Sequence, residues 1–237
     1  MTTAECIHSQ RLAALRERWE TLLFLCKARR EMQMIAFEHL VTAYSEPHRH
    51  YHNLEHICEM LDLLIPGPFT GGGLGSPTGQ DVEMNNVELA AWFHDLVYDP
   101  RSSDNECRSA DVARRIMLNL GLSESRIVRV CDLILMTKDH QAPRDDFFAE
   151  FFLDVDLGIL GTCAERYAEY VRAIRLEYAH IADRDFFIAR RSIMKGLLAR
   201  SSIYLDPEIH LRLESLARAN IAAEIAHIDE ILRTLPS

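Results

Sequence analysis

Apolar residues recur every three or four positions along almost the whole chain, and the strict alternation of a half-buried strand is scarce. The pattern predicts helices near residues 9–29, 31–44, 53–65, 85–95, 104–120, 124–138, 156–160 with a continuation through 163–181, 184–200 and 207–233. Asn53, Ser123 and Asp183 each precede such a run, where a side-chain oxygen can accept an orphan backbone N–H. Pro207 suits a first helical turn after Asp206, because a missing N–H costs nothing there. The expected fold class is all-α, a helical bundle. No internal repeat is visible, and no boundary separates the candidate functional residues, so a single domain over residues 1–237 is expected.

One stretch breaks the helical rhythm, IPGPFTGGGLGSPTGQ at about 65–80. Its glycines and prolines supply turns and few side chains that could build a core. A lid at the rim of a site is one reading. A tolerated surface insertion is the better one, since loops accept added length cheaply.

Composition narrows the class. The chain has 237 residues, 48% of them hydrophobic, enough to bury a sizeable core. It holds no apolar run of membrane-spanning length, and its first twenty residues lack the apolar core of a signal peptide. A cytoplasmic protein with no membrane partner is expected. The six cysteines, at 6, 26, 58, 107, 131 and 163, are dispersed without a CxxC pair, which suits reduced thiols. A formal charge of −10 argues against a nucleic-acid polymer as partner. A phosphorylated small molecule would have to be attracted locally, by a metal and a few basic side chains. The oligomeric state is left open, a homo-oligomer included.

The residues that change this picture are His56, the adjacent pair His94 and Asp95, and Asp156. Two imidazoles and two carboxylates suit a divalent cation that keeps positions open for water and substrate. With Asn53 as cap, His56 falls in the first turn of its helix, and His52 lies just before it. His94 and Asp95 diverge by about 100° on an ideal helix, so both reach one ion only near the helix end. Asp154 and Asp156 stand two apart and cannot share a helical face. Mixed oxygen and imidazole donors favour Mn²⁺, Fe²⁺, Co²⁺, Ni²⁺ or Mg²⁺.

The words around these residues, YHNLEHI, AAWFHDLVYDP and FFLDVDLGILG, resemble the HD-domain superfamily of metal-dependent phosphohydrolases, closest to its stand-alone bacterial-type members. The resemblance runs from about Tyr44 to about Ala223. It implies one divalent ion held by His56, His94, Asp95 and Asp156, with Asp154 left to capping or support. It implies hydrolysis of a phosphoester or phosphoanhydride in a small phosphorylated molecule, such as a nucleotide, by metal-bound hydroxide, with Asp95 also holding the water. Alternatives are a phosphodiesterase and a non-catalytic HD protein that binds a metal or ligand for regulation. A two-metal oxygenase would need further ligands, for which His52 and His140 are the nearby candidates.

Arg49, in RHYHNLEH, matches an Arg-x-Tyr-His context of that family and is assigned with His52 to substrate binding. Lys138 and His140, in MTKDH, match a helix ending and would bind phosphate or protonate a leaving oxygen. The competing reading for both is an ordinary partner of a helix C-terminus. Asp99 and Glu106 could orient water or a second cation; Asp99 before Pro100 reads equally as a turn residue. Arg190, Arg191 and Arg200 read as a solvated helical face. Tyr167, Tyr170 and Tyr178 read as core packing.

Overall fold

The computed structural model describes residues 3–64 and 79–235, and among these every regular element is helical. In order these are α1 (Thr3–Leu25), α2 (Arg30–Tyr44), α3 (Leu54–Leu63), α4 (Gly79–Phe93), α5 (Asn105–Asn119), α6 (Glu124–Met136) and α7 (Phe147–Asp156). A 3₁₀ turn (Leu157–Gly161), α8 (Ala164–Glu177), α9 (Asp183–Leu198) and α10 (Pro207–Thr234) complete the chain. No helix among the described residues is long and apolar enough to cross a membrane. Most of the Gly/Pro-rich stretch, 65–78, lies outside the described residues.

The helices form two compact units. The first comprises residues up to Glu46 and His52–His140; the second comprises Pro47–Tyr51 and Gln141 onward.

In the first unit α4 is the central element, packed by α1, α3, α5 and α6. Its last turns, from Val87 to Phe93, are apolar and buried at every position but Glu88, the signature of a helix enclosed by others. Trp92 and Phe93 are fully buried and meet Trp19 edge-to-face at 5.4 and 5.8 Å between ring centroids. Such pairs add to the burial of two large rings, so this cluster anchors α1 on α4. Gly121, at φ 75°, closes α5; a Cβ there would also meet the Arg29 Nε at 2.8 Å.

In the second unit α10 lies against α9 and the 3₁₀ turn. Gly161 permits that approach, since a Cβ on it would fall 2.5 Å from Leu213 Cβ. Asn220 then donates from Nδ2 to the Leu160 and Thr162 carbonyls, each at 2.9 Å. Asp206 caps α10 by accepting the N–H groups of Glu208 and Ile209, with Pro207 in the first turn as expected.

Several expectations shift. The segment 147–156 forms a helix that the periodicity did not mark, because FFAEFFLDVD is apolar on nearly every side. Asp156 therefore ends a helix instead of opening one. Ser123 makes no capping hydrogen bond. Asp183 is the first residue of α9 and pairs with Arg175 at 2.5 Å. Arg190 is no part of a solvated face: it is 8% exposed and paired with the buried Glu224 at 2.8 Å. Tyr167 and Tyr170 are buried as expected, with hydroxyls on Glu224 and Arg190.

Candidate metal centre

His56, His94 and Asp95 converge in the first unit, with one ligand atom from each lying within 4.8 Å of the others. His56 is placed by its cap: Asn53 Oδ1 accepts the Glu55 N–H at 2.8 Å and starts α3 there. The imidazole projects from the first turn into the interior, where it is 2% exposed. His94 and Asp95 immediately follow the last residue of α4. The helix leaves carbonyls without intrahelical partners at this end. Tyr44 donates its hydroxyl to Trp92 O at 3.1 Å, and His94 Nδ1 lies 3.1 Å from Ala91 O.

That second contact sets the chemistry of His94. A carbonyl can only accept, so Nδ1 carries a proton, and on a neutral ring Nε2 then offers its lone pair. The same Nε2 lies 3.0 Å from Asp95 Oδ2 and 3.2 Å from His56 Nε2. On a neutral ring that lone pair meets a carboxylate oxygen, an arrangement that a cation between them turns into ligation. The third separation, His56 Nε2 to Asp95 Oδ2, is 4.0 Å. Donors about 2.1 Å from a shared ion stand about 3.0 Å apart at a right angle and about 4 Å apart near opposite corners. The three separations therefore fit a single metal ion, and imidazole with carboxylate is a suitable donor set. The backbone carbonyl on His94 Nδ1 is the usual outer partner of a metal-bound histidine.

Residues on α5 hold the chain that follows. Ser109 Oγ accepts from Val97 N at 3.0 Å, and Asn105 Nδ2 donates to Asp99 O at 2.9 Å while its Oδ1 accepts Asp99 N at 3.0 Å. These residues escaped the sequence reading, since a serine or asparagine in a polar helix carries no mark of a distant backbone partner. Tyr98 stacks on His52, with centroids 4.3 Å apart and planes 29° apart. His52 also meets His56 edge-on at 6.0 Å.

The remaining candidates are placed as follows. Asp99 Oδ1 accepts Arg101 N at 2.9 Å, the geometry of a turn residue. Glu106 lies in the first turn of α5. Lys138 is exposed and its Nζ donates to Ser103 O at 3.0 Å. His140 adopts the left-handed region at φ 48°, its N–H donating to Met136 O at 3.0 Å.

In the second unit, Asp156 is half-buried at the C-terminus of α7. Asp154 is 3% exposed and accepts the N–H groups of Leu205 and Asp206, both at 2.6 Å. Burial pushes its carboxyl up to about 7 against the opposing pull of those two bonds. Arg49 is 5% exposed, in the short Pro47–Tyr51 segment.

No protein-family model, no curated protein and no solved structure matches this chain. What stands is an all-α protein whose His56, His94 and Asp95 could hold a metal ion.

Proposed function

We propose that the protein is a metal-dependent phosphohydrolase acting on a small phosphorylated molecule. The observation that carries the reading is the convergence of His56 Nε2, His94 Nε2 and Asp95 Oδ2 at 3.2, 3.0 and 4.0 Å. Three protein donors leave a small divalent ion with open positions, and the sequence around them resembles the HD phosphohydrolases. The resemblance alone assigns Asp156 as a fourth ligand. When bound, such an ion acidifies water and polarises a phosphoryl oxygen.

The chain's own residues then have separate tasks. Asp95, the least buried of the three, has a second carboxylate oxygen with which to orient the attacking water. His94, tied to Ala91 O, holds its ring in one orientation and so limits reorganisation during reaction. Arg49 and His52 bind the phosphoryl group, and His140 or Lys138 supplies a proton or positive charge to the leaving oxygen.

The test is a screen of purified protein against nucleotides, sugar phosphates and phosphodiesters, with Mn²⁺, Co²⁺, Ni²⁺, Fe²⁺ and Mg²⁺ supplied separately. Metal-dependent phosphate release that His94→Ala abolishes is the expected result. A fully metallated protein that cleaves nothing across the panel sinks the enzyme reading and leaves a binding protein.

A further inference from the structure

Beyond α4 the chain runs without a helix of its own until α5, and His94 and Asp95 open that stretch. His94 is held by the helix it follows: its N–H donates to Ala90 O at 2.8 Å and its ring lies against Ala91 O. The residues after Asp95 are held from outside, by two side chains of α5. Ser109 Oγ accepts the Val97 N–H at 3.0 Å and donates to Val97 O at 3.2 Å, while Asn105 answers both backbone groups of Asp99. The spacings match. Four helical residues rise about 6 Å, and two residues of extended chain span about 6.6 Å. Positions 105 and 109, on one face of α5, can therefore hold alternate residues of the loop.

Ser109 is in an unusual place by local rules. It is 0% exposed inside a helix, where serine is a middling helix former whose hydroxyl ordinarily bonds a carbonyl of its own preceding turn. Its hydroxyl instead spends both a donor and an acceptor on one distant residue. Its buried neighbours on α5 include Ala110 and Ala113, and a buried hydroxyl is costly unless bonded, so packing alone gives no reason for a serine there. The two bonds to Val97 do. Between the two clamped residues lies Tyr98, buried and stacked on His52. The loop is thus fixed by its backbone on both sides of that ring and by the ring itself.

We propose that Ser109 is a positioning residue of the candidate metal centre: by holding Val97 it fixes the direction from which Asp95, two residues earlier, presents its carboxylate to His56 and His94. Asn105 supports it one step further along the loop. The inference rests on the metal centre of the proposed function and not on hydrolysis.

The test uses the full chain and Ni²⁺ alone, an ion that suits imidazole donors and so keeps binding measurable when the carboxylate is gone. The variants are Ser109→Ala, Asn105→Ala, Asp95→Ala and the double variant Asp95→Ala/Ser109→Ala. Asn220→Ala is the control, since it removes a comparable clamp on two backbone carbonyls in the second unit. Three quantities are read: amide hydrogen exchange at Val97 and Asp99, melting temperature, and Ni²⁺ affinity by calorimetry where every variant is folded. Ser109→Ala is expected to exchange faster at Val97 and to bind Ni²⁺ about tenfold more weakly, the lower end for an outer partner of a metal ligand. Asn105→Ala should act in the same direction and less strongly. Asn220→Ala should lower the melting temperature and leave Ni²⁺ affinity at the wild-type value. The double variant should bind Ni²⁺ as Asp95→Ala does, because the serine acts through that carboxylate.

Folded Ser109→Ala with wild-type exchange or wild-type affinity overturns the proposal, as does a double variant weaker than Asp95→Ala by a further tenfold. Equal losses in Asn220→Ala and Ser109→Ala overturn it too, since affinity would then only follow stability. Should Ser109→Ala fail to fold, Asn105→Ala decides: weaker Ni²⁺ binding supports the proposal, and unchanged binding overturns it. A wild type that takes up no Ni²⁺ overturns the metal centre and this proposal with it. Wild-type uptake with no loss in Ser109→Ala overturns the proposal alone, so the two failures are told apart.

Discussion

His56 Nε2 and His94 Nε2 stand 3.2 Å apart inside the first unit, with the Asp95 carboxylate on the same point. Two buried imidazoles at that distance share either a proton or a cation, and the carbonyl on His94 Nδ1 turns Nε2 to the side of His56 and Asp95. His94→Ala is therefore expected to weaken binding of a divalent ion by about 100-fold or more, since even outer partners of metal ligands are worth about 10–100-fold. Helical circular dichroism should change little. Metal titration by calorimetry and elemental analysis check this, and stoichiometric metal in the folded variant would refute the site.

The proposal gives Asp154 and Asp156 different tasks, that of Asp156 on the resemblance alone. Asp154 holds the N–H groups of Leu205 and Asp206, so Asp154→Ala leaves two backbone donors without their acceptor and should lower stability by about 1–3 kcal/mol. Metal content should survive. Asp156→Ala should show the opposite split, losing metal affinity while melting close to wild type. Thermal denaturation run beside metal analysis distinguishes them, and metal loss in Asp154→Ala with retention in Asp156→Ala reverses the assignment.

Glu214 makes the second unit sensitive to acid. Burial works against its charge, but the N–H groups of Ile203 and Tyr204 and the Arg218 guanidinium outweigh it and hold the carboxyl below its usual range. His210 also faces it, at 3.5 Å. Because the folded-state value is depressed, its stabilisation is complete above the ordinary glutamate range, near pH 4.3, and fades as pH falls through the folded value. Glu214→Ala should cost about 1.5–3 kcal/mol at pH 7, and the gap to wild type should narrow only under acid. Urea unfolding at pH 7 and below pH 4 measures this; a gap independent of pH would show that packing, not charge, is responsible.

His140 is proposed as a proton donor, and its backbone offers a clean probe. At φ 48° glycine is better tolerated than any side chain, so His140→Gly removes the imidazole without straining the turn. The expected loss is about 10²–10⁴-fold in kcat with metal retained, the usual contribution of a general acid. Parallel loss of metal and activity would make His140 a ligand instead.

The helical class was legible because it is a local property. Periodicity marks which face of each helix is apolar, and Asn53 and Asp206 declare their caps to the groups two or three residues ahead. The His56, His94 and Asp95 cluster was also legible, because the words around those residues, YHNLEHI and AAWFHDLVYDP, resemble the HD proteins and single them out from the other histidines and acids. Tertiary structure decided what depends on partners far along the chain. FFAEFFLDVD is too rich in apolar residues to show a clear stripe, so its helix was hidden and Asp156 moved from a helix start to a helix end. Arg190 looks solvated until Glu224, thirty-four residues on, meets it in the interior. Ser109 acquires its role only when Val97 N arrives beside it. A sequence states which groups must be satisfied; only the packed chain determines which partners satisfy them.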